Sequence, residues 1–170
     1  MNETILTILL SGLISFCGAQ DARTKQIDAA VKRINSDNKL TIKEIDAGEV
    51  YNQTFDGGAI IRVYMDRSDI LKIEQQIGLS YGQLTTIIYL TNGKPIQIID
   101  REEDFGFKSD NTTIDYSKLS TVFEANIYVF DWVKDDSQVS FTGKRVLSDG
   151  TCSNVEYEAL IELVRRAIRK

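Results

Sequence analysis

Apolar positions recur along the chain in short runs, and their period changes twice. Over residues 21 to 35, Ile27, Ala30, Val31 and Ile34 follow three- and four-residue steps while Lys25, Lys32 and Arg33 take the other side. That spacing predicts an amphipathic helix, which Asn35-Ser36-Asp37-Asn38 ends. From Leu40 onward the runs are short, rich in β-branched residues and bounded by turn formers. Leu40 to Ile45, Ile60 to Met65, Ile70 to Ile77, Leu84 to Leu90, Ile96 to Asp100, Thr121 to Trp132 and Val139 to Val146 read as six or seven antiparallel strands. Helical spacing returns at the end. Ser153-Asn154-Val155-Glu156 is an S-x-x-E capping box opening a helix with a predicted apolar face of Val155, Ala159, Leu160, Leu163, Val164 and Ala167. Arg165, Arg166, Arg169 and Lys170 come late in it, as the helix dipole prefers; the acidic whole favours that reading over a nucleic-acid patch. The expected fold is α+β: an antiparallel β-meander of six or seven strands flanked by an N-terminal and a C-terminal amphipathic helix, in a single domain over residues 20–170.

The most definite local feature is Asn92-Gly93 between Ile87-Ile88-Tyr89-Leu90 and Ile96-Gln97-Ile98-Ile99. Asn-Gly accepts the positive φ angles of a type I′ turn, so a two-residue hairpin is expected there. Asp66-Arg67-Ser68 and Lys134-Asp135-Asp136-Ser137 mark further tight connections. Glu102 to Ser120 is a long polar stretch and reads as a mobile loop.

Ahead of the first helix, Ile5 to Phe16 is a 12-residue run that is apolar apart from Thr7, Ser11, Gly12 and Ser15. It matches the core of a signal peptide and is too short to span a bilayer. Small residues at Cys17 and Ala19 suit cleavage after Ala19, which defines a signal peptide of residues 1–19. Ile14-Ser15-Phe16-Cys17 also resembles a lipobox, in which the cut falls before Cys17 and that cysteine carries lipid. Phe16 departs from the lipobox pattern, and Met1-Asn2-Glu3-Thr4 lacks the usual basic residue. A cytosolic apolar N-terminal segment is the remaining alternative. Under either cut Cys152 has no intramolecular disulfide partner. Asp149-Gly150-Thr151 beside it offers no cation, so an inert thiol is expected.

Composition narrows the function classes. A net charge of -5, from 20 basic and 25 acidic side chains, gives no general attraction for nucleic-acid backbones. The absence of histidine removes the usual general base, the commonest metal ligand and every histidine-containing triad. No phosphate-loop, dinucleotide, nucleophile-elbow or C-x-x-C pattern occurs, and no metal or other cofactor is expected. Carboxylates cluster at Asp100-Arg101-Glu102-Glu103-Asp104 and at Asp131, Asp135 and Asp136. They read either as paired acids for hydrolysis, as oxygen ligands for calcium, or as charges that deter edge-to-edge strand pairing. Asn52 and Asn111 open glycosylation sequons, which matter only in a source that glycosylates secreted proteins.

The strand faces carry more. On Thr121 to Trp132, period-two alternation puts Phe123, Ala125, Ile127 and Val129 on a core face and Glu124, Asn126, Tyr128, Phe130 and Trp132 on the other. Tyr89 and Tyr64, the latter beside Arg62, join that second side if neighbouring strands pair as their apolar sides suggest. Tyr64, Tyr89, Tyr128, Phe130 and Trp132 are therefore the candidate partner-binding residues. A terminal helix covering that side would instead make them a second core layer.

Ile70-Leu71-Lys72-Ile73, then Thr86 to Ile96 with its Asn92-Gly93-Lys94, then Tyr128-Val129-Phe130-Asp131-Trp132 ahead of a terminal helix, resemble small uncharacterised exported proteins of Gram-negative bacteria. The resemblance covers roughly residues 60 to 165. Leu90 stands where an aromatic is usual, and Gln97 or Ile98 where phenylalanine is. It implies fold and export, and no activity. The expected function is a non-enzymatic exported binding module of inhibitor, immunity or envelope-accessory type, with another protein as partner. Its expected location is periplasmic or secreted, with lipid anchoring in the envelope through Cys17 as the alternative. The rival is a small-ligand-binding or carboxylate-dependent hydrolytic domain using Asp100, Glu102 and Asp131. Two facing carboxylates in a closed pocket favour the rival, and an exposed aromatic patch favours the binding module.

Overall fold

The computed structural model describes residues 22–109 and 112–169, so the expected signal segment with Cys17, and the sequon at Asn111, lie outside the described residues. The chain divides into two compact units at Asp37/Asn38. In the first, residues 22–36 form helix α1, with Ile27, Ala30, Val31 and Ile34 among its less exposed positions and Lys25, Lys32 and Arg33 exposed, as the spacing predicts.

The second unit holds an antiparallel meander of seven strands, β1 (Thr41–Asp46), β2 (Ala59–Asp66), β3 (Asp69–Leu79), β4 (Gly82–Thr91), β5 (Lys94–Phe107), β6 (Ile114–Asp131) and β7 (Asp136–Gly143). Their order in the sheet is their order in the chain. A short helix, α2 (Ala47–Tyr51), follows β1, and α3 (Asn154–Ile168) closes the chain. The α+β meander is thus the one the apolar pattern predicts, with a helix before it in sequence and one after it. Asn92 and Gly93 have φ angles of 51° and 72°, so β4 and β5 are joined by the expected two-residue turn with both φ positive. Arg67 is also left-handed, φ 54°, between β2 and β3. The short helix α2 was not legible beforehand. It depends on Asp46, whose Oδ1 accepts from Gly48 N at 2.8 Å and Glu49 N at 3.4 Å.

One sheet face carries Ile61 and Val63 from β2, Ile73 from β3, Ile88 from β4, Ile98 from β5 and Ile127 and Val129 from β6, all buried. Ile73, Ile88, Ile98 and Ile127 stand opposite one another in consecutive strands and form one row. Each fully buried isoleucine contributes on the order of 2–3 kcal/mol through removal of apolar surface from water. Helix α3 covers this row with Tyr157, Leu160, Ile161 and Val164. That stripe corrects the predicted helix face. Val155 and Ala159 point to solvent, because positions 157, 160, 161, 164 and 168 make the i, i+3, i+4, i+7, i+11 series that packs. The Ser153–Glu156 capping box is present, as expected.

Two further expectations are overturned. Glu102 to Ser120 is a hairpin, not a loop: Glu102 pairs with Phe123, Asp104 with Ser120, Phe105 with Leu119 and Phe107 with Ile114. At the other end β7 stops at Gly143, so Lys144, Arg145 and Val146 leave the sheet. Gly143 has φ 73°, and a Cβ there would collide with Val122 O, so the exit needs glycine.

Candidate functional site

Strand register places Tyr64 opposite Lys72, Lys72 opposite Tyr89, Tyr89 opposite Gln97 and Gln97 opposite Tyr128. Three of the candidate aromatics therefore share one row on the face away from α3, as alternation predicts. Lys72 Nζ lies 4.6 Å from the centre of the Tyr64 ring and 5.8 Å from that of Tyr89. Around it runs a charge ladder: Glu44 pairs with Arg62 at 2.9 Å, Arg62 with Glu74 at 3.5 Å and Glu74 with Lys72 at 2.9 Å. Burial alone would raise the Glu74 carboxyl, but Lys72, the Tyr64 hydroxyl and Arg62 hold it below its usual value. Tyr89, at the middle of the row, retains only 4% of its exposure, so the row does not present a continuous aromatic surface.

Phe130 and Trp132 do not extend this row. The β6–β7 register shifts between Val129 and Asp131, leaving Phe130 without a directly opposed residue on β7, and β6 ends at Asp131. Beyond that irregularity period-two alternation no longer assigns sides. Trp132 packs against the α3-covered core, and its Nε1 donates to Glu158 Oε2 on α3 at 2.6 Å.

The three candidate acids also separate. Asp131 accepts from Val133 N at 3.1 Å and Lys134 N at 3.2 Å and pairs with Lys134 Nζ at 3.1 Å, so it closes the β6–β7 turn. Asp100 and Glu102 lie two residues apart on the α3 side of β5 and converge on Arg145. Glu102 is fully buried. It accepts from Arg145 Nη1 at 3.0 Å, Val146 N and Leu147 N at 2.8 Å each, and Ser148 Oγ at 2.6 Å. Burial alone would raise its pKa; these hydrogen bonds hold it below the usual glutamate range. Asp100 accepts from Arg145 Nη2, from Tyr157 OH at 3.3 Å and from Thr86 Oγ1 at 3.1 Å. Both carboxylates thus bind the segment after β7 through Arg145.

Cys152 belongs to the same cluster, which corrects the expectation that no cation is near it. Its Sγ accepts from Arg145 Nη2 at 2.8 Å, and it lies 3.8 Å from Asp100 Oδ2. Seven residues separate Arg145 from Cys152. The long guanidinium side chain spans that interval, so sequence adjacency could not reveal the pair. Tyr157 completes the cluster, its hydroxyl pKa raised by burial and by the Asp100 charge.

The surface that sequence reasoning missed is the distal part of the β5–β6 hairpin. Strand β4 ends opposite Asp104 at Gly82, and β7 ends opposite Phe123 at Gly143. Phe105 N still donates to Tyr81 O at 3.0 Å, so Gly106, Phe107 and Ile114 to Leu119 are the part that overhangs the sheet as a two-stranded arm. At its base Phe105 meets Tyr116 edge to face with ring centres 5.2 Å apart. Phe107 is 57% exposed and Tyr116 66%. Between Leu119 and Asp115 the register with β5 slips, and Tyr116-Ser117-Lys118 form the surplus. Asp115 orders it: Oδ1 accepts from Ser117 N at 3.1 Å and Ser117 Oγ at 2.6 Å, while Lys118 Nζ lies 3.5 Å from Oδ2. A bulge of this kind re-aims the side chains it carries, here Tyr116. The alternating aromatics at Phe105 and Phe107 were the one sequence signal of this strand.

Three surface grooves, one around Asp46 to Ala59, one between Ile45 and Leu163 and one beside Trp132 and Glu158, include none of Asp100, Glu102 and Asp131 in their walls. Among the described residues no group of three or more His, Cys, Asp or Glu side chains is arranged to hold a metal ion. Among them, too, no helix is long and apolar enough to cross a membrane. No protein-family model, curated protein sequence or solved structure matches the chain.

Proposed function

We propose that this protein is a non-enzymatic binding module, of inhibitor, immunity or envelope-accessory type, that engages another protein through the overhanging β5–β6 arm. The observation that carries this reading is the exposure of Phe107 and Tyr116 on a hairpin with no neighbouring strand beyond Asp104. Exposed aromatics on a backbone ordered by its own hydrogen bonds lose little conformational freedom on binding, and tyrosine and phenylalanine are enriched at the centres of interfaces. Lys118 and Asp115 beside them supply a polar rim.

The catalytic alternative has less support, because Asp100 and Glu102 are both tied to Arg145 and Asp131 closes a turn. Export is part of the proposal and rests on the apolar run Ile5 to Phe16 and on the resemblance to small exported proteins. Intact mass of the native protein tests it: a chain beginning at Gln20, or at a lipid-bearing Cys17, supports export, and retention of Met1 refutes it.

The binding test uses a photo-crosslinking residue at position 116 in the native compartment, with one at the exposed Lys32 as control. A discrete protein adduct specific to position 116, lost on Phe107→Ala while the melting curve is unchanged, is the expected result. No specific adduct, or one indifferent to Phe107→Ala, overturns the proposal.

A further inference from the structure

At the end of β6 away from the arm, a groove of about 310 Å³ lies between Trp132 and the outer side of α3. Its walls are Trp132, Asn154, Val155, Glu158, Ala159 and Glu162, of which three are apolar, two acidic and none basic. The volume is at the small end of ligand-sized cavities and suits one long side chain rather than a helix or strand.

The walls are held in place by contacts within the chain. Trp132 is partly buried against the core, and its Nε1 donates to Glu158 Oε2 at 2.6 Å, which fixes the indole beside α3. Asn154 Nδ2 donates to Asp135 Oδ1 at 2.5 Å and ties the start of α3 to the turn between β6 and β7. Val155 is 79% exposed, more than any other large apolar side chain among the described residues. Glu158 and Glu162 stand one helical turn apart and line the same groove. Like charges at that spacing repel and weaken a helix. Arg165 answers Glu162, Nη1 to Oε1 at 2.5 Å, whereas Glu158 has no cationic partner among the described residues.

An indole beside two carboxylates attracts a cation through the ring quadrupole and through direct charge attraction. Arginine fits both: its planar guanidinium stacks on an aromatic ring and presents a fork of donors to carboxylates. Its methylene stem covers apolar surface, here Val155 and Ala159. We propose that this groove binds an arginine side chain from a basic segment of a partner protein, stacked on Trp132 and hydrogen-bonded to Glu158 and Glu162. Charge complementarity selects the occupant, since the groove offers two carboxylates and no cation of its own. Strand β6 begins in the arm and ends beside this groove, so the two surfaces lie at opposite ends of one strand and neither reading rests on the other.

Titration of the ¹⁵N-labelled full chain with the capped tripeptide acetyl-Gly-Arg-Gly-amide, followed at its single indole N–H, tests the proposal. A saturable shift is expected, with a Kd on the order of 1–10 mM for one side chain. The same peptide with glutamine in place of arginine should give none. No saturable shift, or an equal one with the glutamine peptide, overturns the proposal. Glu158→Gln and Glu162→Gln should each weaken binding roughly threefold or more, and the first keeps an acceptor for Trp132 Nε1. Both positions are exposed, so the melting curve should not move. Where Glu158→Gln does not fold, Glu162→Gln decides alone. Affinity unchanged by the removal of charge overturns the assignment of the carboxylates and with it the proposal. Tighter binding of free arginine or of a diamine such as putrescine than of the peptide would make this a small-cation site and overturn the partner assignment.

Discussion

Arg145 reaches from the segment beyond β7 to Glu102 on β5, Nη1 to Oε1 at 3.0 Å, and this pair decides where the chain goes after leaving the sheet. The guanidinium also lies over the Phe123 ring, 4.2 Å from its centre, so one side chain is held by charge, hydrogen bonds and an aromatic face. With Val146 N, Leu147 N and Ser148 Oγ on the same carboxylate, Glu102 sets the path that delivers Ser153 to the start of α3.

Glu102→Ala should therefore cost about 3–5 kcal/mol of folding stability, because it removes one of the two carboxylates paired with Arg145 and leaves two backbone N–H groups without their buried acceptor. Denaturant unfolding of the purified chain measures this. A loss below about 1 kcal/mol would mean that the segment holds its course without the carboxylate.

Acid should weaken the same latch. The folded-state pKa of Glu102 is depressed, so its contribution is complete above the unfolded glutamate value of about 4.3 and is lost as pH falls through the lower folded value. The unfolded chain takes up the proton first, and each further step down in pH favours it. Glu74 and Glu156 are shifted the same way, so Glu102→Gln should blunt the acid loss without abolishing it. Denaturation midpoints between about pH 7 and pH 3 provide the comparison; a variant that keeps the full acid loss would place its origin elsewhere.

Gly93→Val should destabilise the fold by about 2 kcal/mol or more, since φ 72° is left-handed and valine branches at Cβ. Arg165 Nη2 donates to Gly93 O at 2.5 Å, so a shift of this turn also loosens the end of α3. An unchanged denaturation midpoint would show that the turn contributes nothing to the register of β4 and β5.

Trp132→Ala should cost about 3 kcal/mol, as expected when an aromatic side chain packed on the core is truncated. Trp132→Phe keeps most of the apolar contact and loses only the hydrogen bond to Glu158, about 1 kcal/mol. Quenching of the sole tryptophan should show partial shielding. Stability indifferent to both changes would detach Trp132 from the core.

What the chain specified locally can be read without the structure. Asn92-Gly93 dictates a turn through its own φ preferences, and β-branched runs between turn formers mark six or seven strands, of which the structure has seven. Ser153 and Glu156 start α3 through a bond between near neighbours. These features depend on interactions within a few residues, and so survive in sequence as patterns. The alternation of β6 even placed Tyr128 in one row with Tyr89 and Tyr64, because the period holds as long as the strand is regular. It failed for Trp132, where a register shift and the strand end removed the period. The arm escaped notice for a related reason: overhanging the sheet, it buries no face of its own on a core, and polar residues there read as a loop. The cluster of Glu102, Asp100, Arg145 and Cys152 was decided by tertiary structure alone. Its members lie up to 52 residues apart, and only the path of the chain after it leaves the sheet at Gly143 brings the charges together.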